Sequence, residues 1–119
     1  MIPIYYYFGT RKEQVKHCRL RLAISDLNYK LFRRHLLEDP MCSCGYTAET
    51  SEHFLLHCPL YKSIRNKTIN KLDENERNIN TLLFGNHQLH LATNQNIFAI
   101  VHDILRQTDN LSKYPNFVF

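Results

Sequence analysis

The chain has 119 residues, of which 44% are hydrophobic and 12% aromatic. This composition suffices for one small domain with its own core and excludes a disordered polypeptide. The formal net charge is +4, and no run approaches the roughly 20 apolar residues of a membrane span, so a membrane is not an expected partner.

The sequence predicts a mainly α-helical fold, a small domain of four or five helices with an inserted zinc knuckle at residues 42–58, where three cysteines and two histidines are concentrated. We divide it into an N-terminal apolar segment (residues 1–10), a metal-binding region (11–72) and a helical C-terminal tail (73–119). In the first segment, Tyr5 to Phe8 would form a short strand or dock on the core.

Two helices are expected before the knuckle. The first runs from residue 11 to about 24, with a core face at helical spacing formed by Val15, Cys18 and Leu22. Ser25 and Asp26 can cap a second helix that reaches about residue 37. We expect this second helix to bury four apolar side chains, Leu27, Leu31, Phe32 and Leu36.

Basic residues are concentrated on these two helices. Residues 11–36 contain eight Lys or Arg against two acidic residues, a net charge of +6, whereas the rest of the chain has a net charge of −2. Helical spacing places Lys12, Lys16 and Arg19 on one face of the first helix. Lys30, Arg33 and Arg34 share a face of the second. Such stripes neutralise phosphates, so they are candidate nucleic-acid contacts; a solvated helix face is the alternative.

The most specific motif is C-x-C-x8-H-x4-C, formed by Cys42, Cys44, His53 and Cys58. Thiolate and imidazole are the ligands that Zn²⁺ prefers, and four protein ligands make a closed structural site without an open position for chemistry. Gly45 suits a left-handed backbone in the metal-binding turn. Thr50 or Ser51 can cap a short helix that carries His53 near its start.

Other interpretations of these residues remain open. His57 lies four residues after His53 and could replace Cys58, which would give a Cys2His2 site. The cysteines could also be small buried apolar residues. A disulfide between Cys42 and Cys44 is disfavoured, because residues so close in sequence rarely meet the required geometry.

Further helices are expected after the knuckle. Pro59 favours a break at Cys58 and opens a helix to about residue 72. This helix presents an apolar stripe formed by Tyr61, Ile64, Thr68 and Leu72. A polar loop (73–80) and a short apolar turn (81–84) ended by Gly85 follow. Residues 93–107 form the clearest amphipathic helix, with one face made of Ile97, Phe98, Val101, Ile104 and Leu105.

The region from about residue 7 to 72 resembles the zinc-binding segment at the C-terminal end of reverse transcriptases of non-LTR, jockey-like retrotransposons. The shared pattern is R-L-R…L-N…L-F…C-x-C-G…E-T…H-F-L-L-x-C-P-x-Y…R. It is matched here by Arg19, Leu20, Arg21, Leu27, Asn28, Leu31, Phe32, Cys42, Cys44, Gly45, Glu49, Thr50, His53, Phe54, Leu55, Leu56, Cys58, Pro59, Tyr61 and Arg65.

The resemblance implies a Zn²⁺ cofactor and RNA or DNA as partner. The polymerase, endonuclease and ribonuclease H motifs of such proteins are missing, so we expect no enzyme activity and no small-molecule substrate. The spacing of His35, His87, His90 and His102 identifies no partner for them. Cysteines in a zinc-type arrangement indicate a reducing, intracellular compartment, cytoplasmic or nuclear. The alternative function is a structural or protein-interaction module that packs on a polymerase domain, or a non-functional remnant of a decayed element.

Overall fold

The computed structural model describes residues 3–22, 27–36 and 38–109. The α-helices described in these ranges are α1 (Arg11–Arg21), α2 (Asn28–Arg33), α3 (Lys62–Lys67), α4 (Ile79–Phe84) and α5 (Leu91–Asp109). Short 3-10 helices are formed by Ile4–Tyr7, Pro59–Tyr61, Ile69–Lys71 and Glu74–Glu76, and a π-helical turn by His53–His57. Within these ranges, β-pairing is limited to one isolated bridge between Met41 and Ala48. The predicted mainly α fold, with the Cys/His segment between the second and third helices, is confirmed.

Helix α5 is the centre of the fold, because α1, α3, α4 and the N-terminal 3-10 helix all pack against it. Its apolar face is buried as predicted, with Ile97, Phe98, Val101, Ile104 and Leu105 each at most 6% exposed. The buried core also includes Tyr5 from the N-terminal segment and Cys42 and Cys58 from the knuckle. One continuous core therefore draws side chains from all three predicted segments.

The N-terminal segment docks on this core as a 3-10 helix, so the strand alternative is wrong. Tyr5 is buried with its ring edge against Phe98, at a centroid distance of 5.2 Å. Tyr6 stacks on Phe98, and the Arg21 guanidinium lies 4.6 Å from the centre of the Tyr6 ring. Arg21 therefore belongs to the core region, which removes one positive charge from the basic surface expected from the sequence.

Helix α1 buries a different face from the predicted one. The Thr10 side chain accepts a hydrogen bond from the Glu13 backbone N–H and caps the helix. The buried residues of α1 are Glu13, His17 and Leu20, whereas Cys18 is exposed. The prediction of a core position for Cys18 is wrong, because Glu13 and His17 are buried on another face of the helix. Glu13 pairs with Arg106 of α5, and His17 hydrogen-bonds to His102 of α5 and to the Leu82 carbonyl of α4.

Helix α2 ends at Arg33, earlier than predicted, and its burial pattern is half right. Leu27 and Leu31 are buried, but Phe32 is 38% exposed and Leu36 is 56% exposed. The predicted burial of the latter two is wrong, because the chain turns away at His35, which has a φ of 61°. The expected caps, Ser25 and Asp26, lie outside the described residues.

The predicted helix from Pro59 to residue 72 is broken into 3-10, α and 3-10 segments. The Thr68 hydroxyl donates a hydrogen bond to the Ile64 carbonyl at 2.8 Å, and the Thr68 backbone (φ −127°, ψ −87°) leaves the helical region. The predicted stripe is nevertheless correct, since Tyr61, Thr68 and Leu72 are buried and Ile64 is half-buried. Helix α4 begins at Ile79, two residues earlier than the predicted turn, and is followed by Gly85 as predicted.

Candidate metal centre

A tight loop brings Cys42 and Cys44 together. The Glu49 backbone N–H donates to the Pro40 carbonyl at 2.8 Å, which closes the base of the loop. At its tip the Gly45 N–H donates to the Cys42 carbonyl at 3.0 Å. Gly45 has a φ of 84° and open space where a Cβ would lie. The predicted left-handed conformation is confirmed, and the backbone rather than crowding is what favours glycine here.

A π-helical turn brings His53 and Cys58 together. The Thr50 hydroxyl accepts a hydrogen bond from the His53 N–H at 3.1 Å, as the predicted cap requires. The Cys58 N–H then donates to the His53 carbonyl, five residues earlier, at 2.7 Å. Cys58 has an extended backbone and Pro59 opens the next helix, so the predicted break is confirmed.

The four predicted ligand atoms lie within 4.8 Å of one another. The sulfur atoms of Cys42 and Cys58 are 3.6 Å apart, and Cys44 Sγ is 3.3 Å from His53 Nε2. Zinc–ligand lengths in a tetrahedron correspond to about 3.8 Å between two sulfurs and about 3.6 Å between sulfur and nitrogen. The two observed distances are close to these values, so the four atoms lie near enough together to share one small metal ion. His57 is not part of the group, because it is exposed and its Nε2 lies 3.5 Å from a Glu52 carboxylate oxygen.

Burial controls the protonation of this cluster. Cys58 is fully buried, and burial raises the pKa of the Cys42 thiol to about 12. A backbone hydrogen bond from Tyr46 lowers the pKa of the Cys44 thiol, and burial lowers that of the His53 imidazole. His53 therefore offers a neutral nitrogen, while metal binding at Cys42 releases a thiol proton.

Two buried charged side chains border the cluster. The Arg65 guanidinium is 7% exposed and donates to the carbonyls of Phe54, at 3.4 Å, and of Cys58. It thereby ties both ends of the turn that carries Cys58 to helix α3. Glu49 is 3% exposed, and its Oε2 lies 3.5 Å from Cys42 Sγ. Sequence spacing assigned no role to either side chain, because both contacts depend on how the loop and α3 pack.

The candidate phosphate contacts occupy two helices. On α1, Lys12 is exposed while Lys16 and Arg19 are half-buried. On α2 and directly after it, Arg33 and Arg34 are exposed, and Lys30 lies within the helix. The predicted nucleic-acid contacts therefore stay a prediction, carried by α1, by α2 and by the residue directly after α2.

A buried histidine pair forms a second polar cluster that the sequence did not indicate. His17 Nε2 donates to the Leu82 carbonyl at 2.7 Å, because a carbonyl oxygen can only accept. Its Nδ1 must then accept from His102 Nε2, 3.1 Å away. Gly9 passes so close that a Cβ there would overlap the His102 ring. His17 shares the Glu13 and Leu20 face of α1, which is the signal that could have found it.

Comparisons with protein-family models, curated proteins and solved structures found no match to this chain. The resemblance to retrotransposon reverse transcriptases therefore rests on the sequence motif alone. In the ranges that the structure describes, no helix combines the length and apolar character needed to cross a membrane.

Proposed function

We propose that this chain is a zinc-stabilised module that binds nucleic acid, as its resemblance to the tail of a non-LTR reverse transcriptase implies. The observation that carries the metal part is the set of four donor atoms that lie within 4.8 Å of one another. Three sulfurs and one imidazole nitrogen favour Zn²⁺ over Mg²⁺ or Ca²⁺, which take oxygen ligands.

The site is structural in this proposal. Four protein ligands complete the tetrahedron and leave no position for water or substrate. With three thiolates and a neutral imidazole, a bound Zn²⁺ would leave a net charge of −1 on the cluster. The buried Arg65 guanidinium holds one ligand in place through the Cys58 carbonyl, and the buried Glu49 carboxyl group lies on the Cys42 side of the same cluster. We propose no catalytic role for the cluster.

The nucleic-acid part is supported by the asymmetric charge of the chain. The net charge of +6 over residues 11–36 contrasts with −2 elsewhere, and five of the six candidate cations have described side chains that are exposed or half-buried. Helices α1 and α2 precede the segment that carries the candidate ligands, residues 40–58 (the metal loop), in the chain. A metal-bound knuckle would therefore restrain the C-terminal end of α2. This restraint supports a basic surface with a defined conformation.

A structural or protein-interaction role is the second candidate. Several apolar side chains in the described ranges are more than half exposed, notably Ile4, Tyr7, Leu22, Leu36 and Leu60. Exposed apolar groups favour a protein partner where they form a contiguous patch. In this role the basic residues would serve solubility alone.

A salt titration of the zinc-loaded protein tests the nucleic-acid proposal. The triple variant Lys30→Glu, Arg33→Glu, Arg34→Glu is compared with wild type on single-stranded RNA and duplex DNA. Each lost phosphate contact should reduce the slope of log affinity against log salt by about 0.7 to 0.9. Unchanged slopes, or no binding by wild type, would leave the protein-interaction role as the better account.

A further inference from the structure

The C-terminal end of α2 has an unusual helix stop. The His35 N–H donates to the Phe32 carbonyl at 3.0 Å and the Leu36 N–H to the Leu31 carbonyl at 2.9 Å. These two bonds are the pair that defines a Schellman stop, and they place His35 at the position where glycine is most common. His35 has a φ of 61°, and no other non-glycine residue in the described ranges has a positive φ. A side chain is thus kept at a position where it strains the backbone.

An open groove lies at this helix stop. Its volume is about 770 Å³ and it is lined by Phe32, Arg33, His35, Leu36 and Glu38. Phe32 and Leu36 are the two side chains that the sequence pattern assigned to the core, yet they are 38% and 56% exposed. The strained residue therefore bends the chain so that an aromatic ring, an aliphatic side chain, an imidazole and a guanidinium share one surface.

We infer that this groove holds an unpaired nucleotide of a single-stranded nucleic acid, an inference that rests on the nucleic-acid proposal above. The lining combines a ring on which a base can stack with Arg33, which can contact the adjoining phosphate. Lys30, Arg33 and Arg34 lie on α2 or directly after it, and this local concentration of basic residues favours a polyanion as the partner. Bases in a duplex are already stacked, so only an unpaired base can enter.

Glu38 sharpens the expected base preference. A carboxylate repels phosphate but accepts hydrogen bonds from exocyclic amino groups, as Glu does from cytosine. The acidic Glu38 side chain lines the same groove as the basic Arg33 side chain. The groove should therefore favour bases with an amino group, so that an oligocytidine binds more tightly than an oligouridine.

The test is fluorescence anisotropy with a labelled single-stranded RNA and a labelled duplex DNA. Phe32→Ala should weaken single-strand binding at least about 5-fold, the lower end of what one stacked base contributes. Its salt slope should stay unchanged, because phenylalanine neutralises no phosphate, and its duplex affinity should match wild type. Leu60→Ala is the matched control, since Leu60 is 53% exposed but does not line the groove.

A second variant guards against misfolding. His35→Gly should relieve backbone strain and keep the fold, yet weaken single-strand binding by removing the imidazole from the groove. Glu38→Ala should abolish the difference between oligocytidine and oligouridine.

The possible failures are distinguishable. If wild type binds neither nucleic acid, the proposed function and the groove assignment both fail. If wild type binds and both Phe32→Ala and His35→Gly bind single-stranded RNA as tightly as wild type, only the groove assignment is overturned. Equal losses on single strand and duplex would also overturn it, since stacking would not be the cause. Concentration-dependent self-association that disappears in Phe32→Ala would instead assign the surface to a second copy of the chain.

Discussion

The metal loop and the helical core of this protein are stabilised by different interactions. The metal loop, residues 40–58, contributes Phe54 and Leu55 to the buried core and brings four candidate ligand atoms together. The helical core, formed by α1, α4, α5 and the N-terminal 3-10 helix, is built around Phe98 and the apolar face of α5. In the proposed function the first region depends on a bound ion in addition to burial, whereas the second depends on apolar burial and on one buried histidine pair. The predictions below separate the two.

Metal removal should have the largest effect. Zinc binding to such sites is worth about 10–16 kcal/mol and is coupled to folding. Chelation, or Cys58→Ser, should therefore unfold the metal loop while α1, α4 and α5 keep their protection in hydrogen exchange. His57→Ala is the matched control and should retain one zinc in metal analysis, because His57 lies outside the cluster. Loss of zinc in His57→Ala but not in Cys58→Ser would contradict the ligand assignment.

Phe98→Ala should break the helical core and leave the metal loop able to bind its ion. Phe98 is 1% exposed and contacts Tyr5, Tyr6 and His17. Its truncation should lower the free energy of unfolding by about 3–5 kcal/mol, measured by urea denaturation of the zinc-loaded protein. Leu91→Ala, at a 47% exposed position of the same helix, should change it by at most about 0.5 kcal/mol. If Phe98→Ala lost as much zinc-binding free energy as unfolding free energy, the two regions would fold as one unit.

Acid should destabilise the helical core through the histidine pair. Burial lowers the pKa of His102 to about 4, and burial also lowers the pKa of His17 well below its ordinary value. Arg21 adds to both shifts, and Arg106 adds to that of His102, while Glu13 opposes the latter. As the pH is lowered, the unfolded state binds a proton before the folded state does. The free energy of unfolding therefore keeps its full value above the unfolded pKa of about 6.5 and falls as the pH drops toward 4.

The loss attributable to His102 should reach about 3 kcal/mol. Urea denaturation between pH 7 and pH 4 measures it, with zinc content followed separately. His102→Gln can still donate to His17 and should flatten the pH dependence. If the free energy of unfolding of His102→Gln fell with pH as steeply as that of wild type, His102 would not be the source of the pH dependence.

Arg65→Met should weaken the link between the two regions. It leaves the carbonyls of Phe54 and Cys58 without their buried donor, which should cost about 1–3 kcal/mol and lower zinc affinity. Arg77→Met is the matched control, since Arg77 also donates to two carbonyls but is exposed, so water can replace it. Competition with a zinc indicator checks the affinity, and equal effects of the two changes would refute a specific role for Arg65.

The smallest expected effect is a gain. His35→Gly should raise the free energy of unfolding by about 1 kcal/mol, because glycine adopts a φ of 61° without strain. His87→Gly, at an exposed position with an ordinary negative φ, should give no gain. Thermal denaturation of the zinc-loaded variants measures both. A destabilised His35→Gly would mean that the imidazole stabilises the helix stop.

The sequence was most informative where interactions are local. The four candidate ligands lie within seventeen residues, and Gly45 and Pro59 mark the turns that bring them together. The apolar face of α5 follows from helical periodicity, and so does the stripe that ends at Leu72. These features depend on residue types at short spacing, which a single sequence displays directly.

Features that depend on distant parts of the chain were missed. The burial of His17 and the exposure of Cys18 depend on a partner 85 residues away in His102. The five-residue bond from Cys58 to His53, and the Arg65 contact behind it, depend on how α3 packs against the metal loop.

The sequence by itself therefore determined the helical class, the segment that holds the candidate metal ligands and the basic segment. Only the tertiary structure decided which face of α1 is buried, that Phe32 and Leu36 border an open groove, and which polar groups are paired in the core. The physical reason is that spacing sets which residues share a helix face. Which face is buried depends on whether a neighbouring element can cover it and satisfy its polar groups.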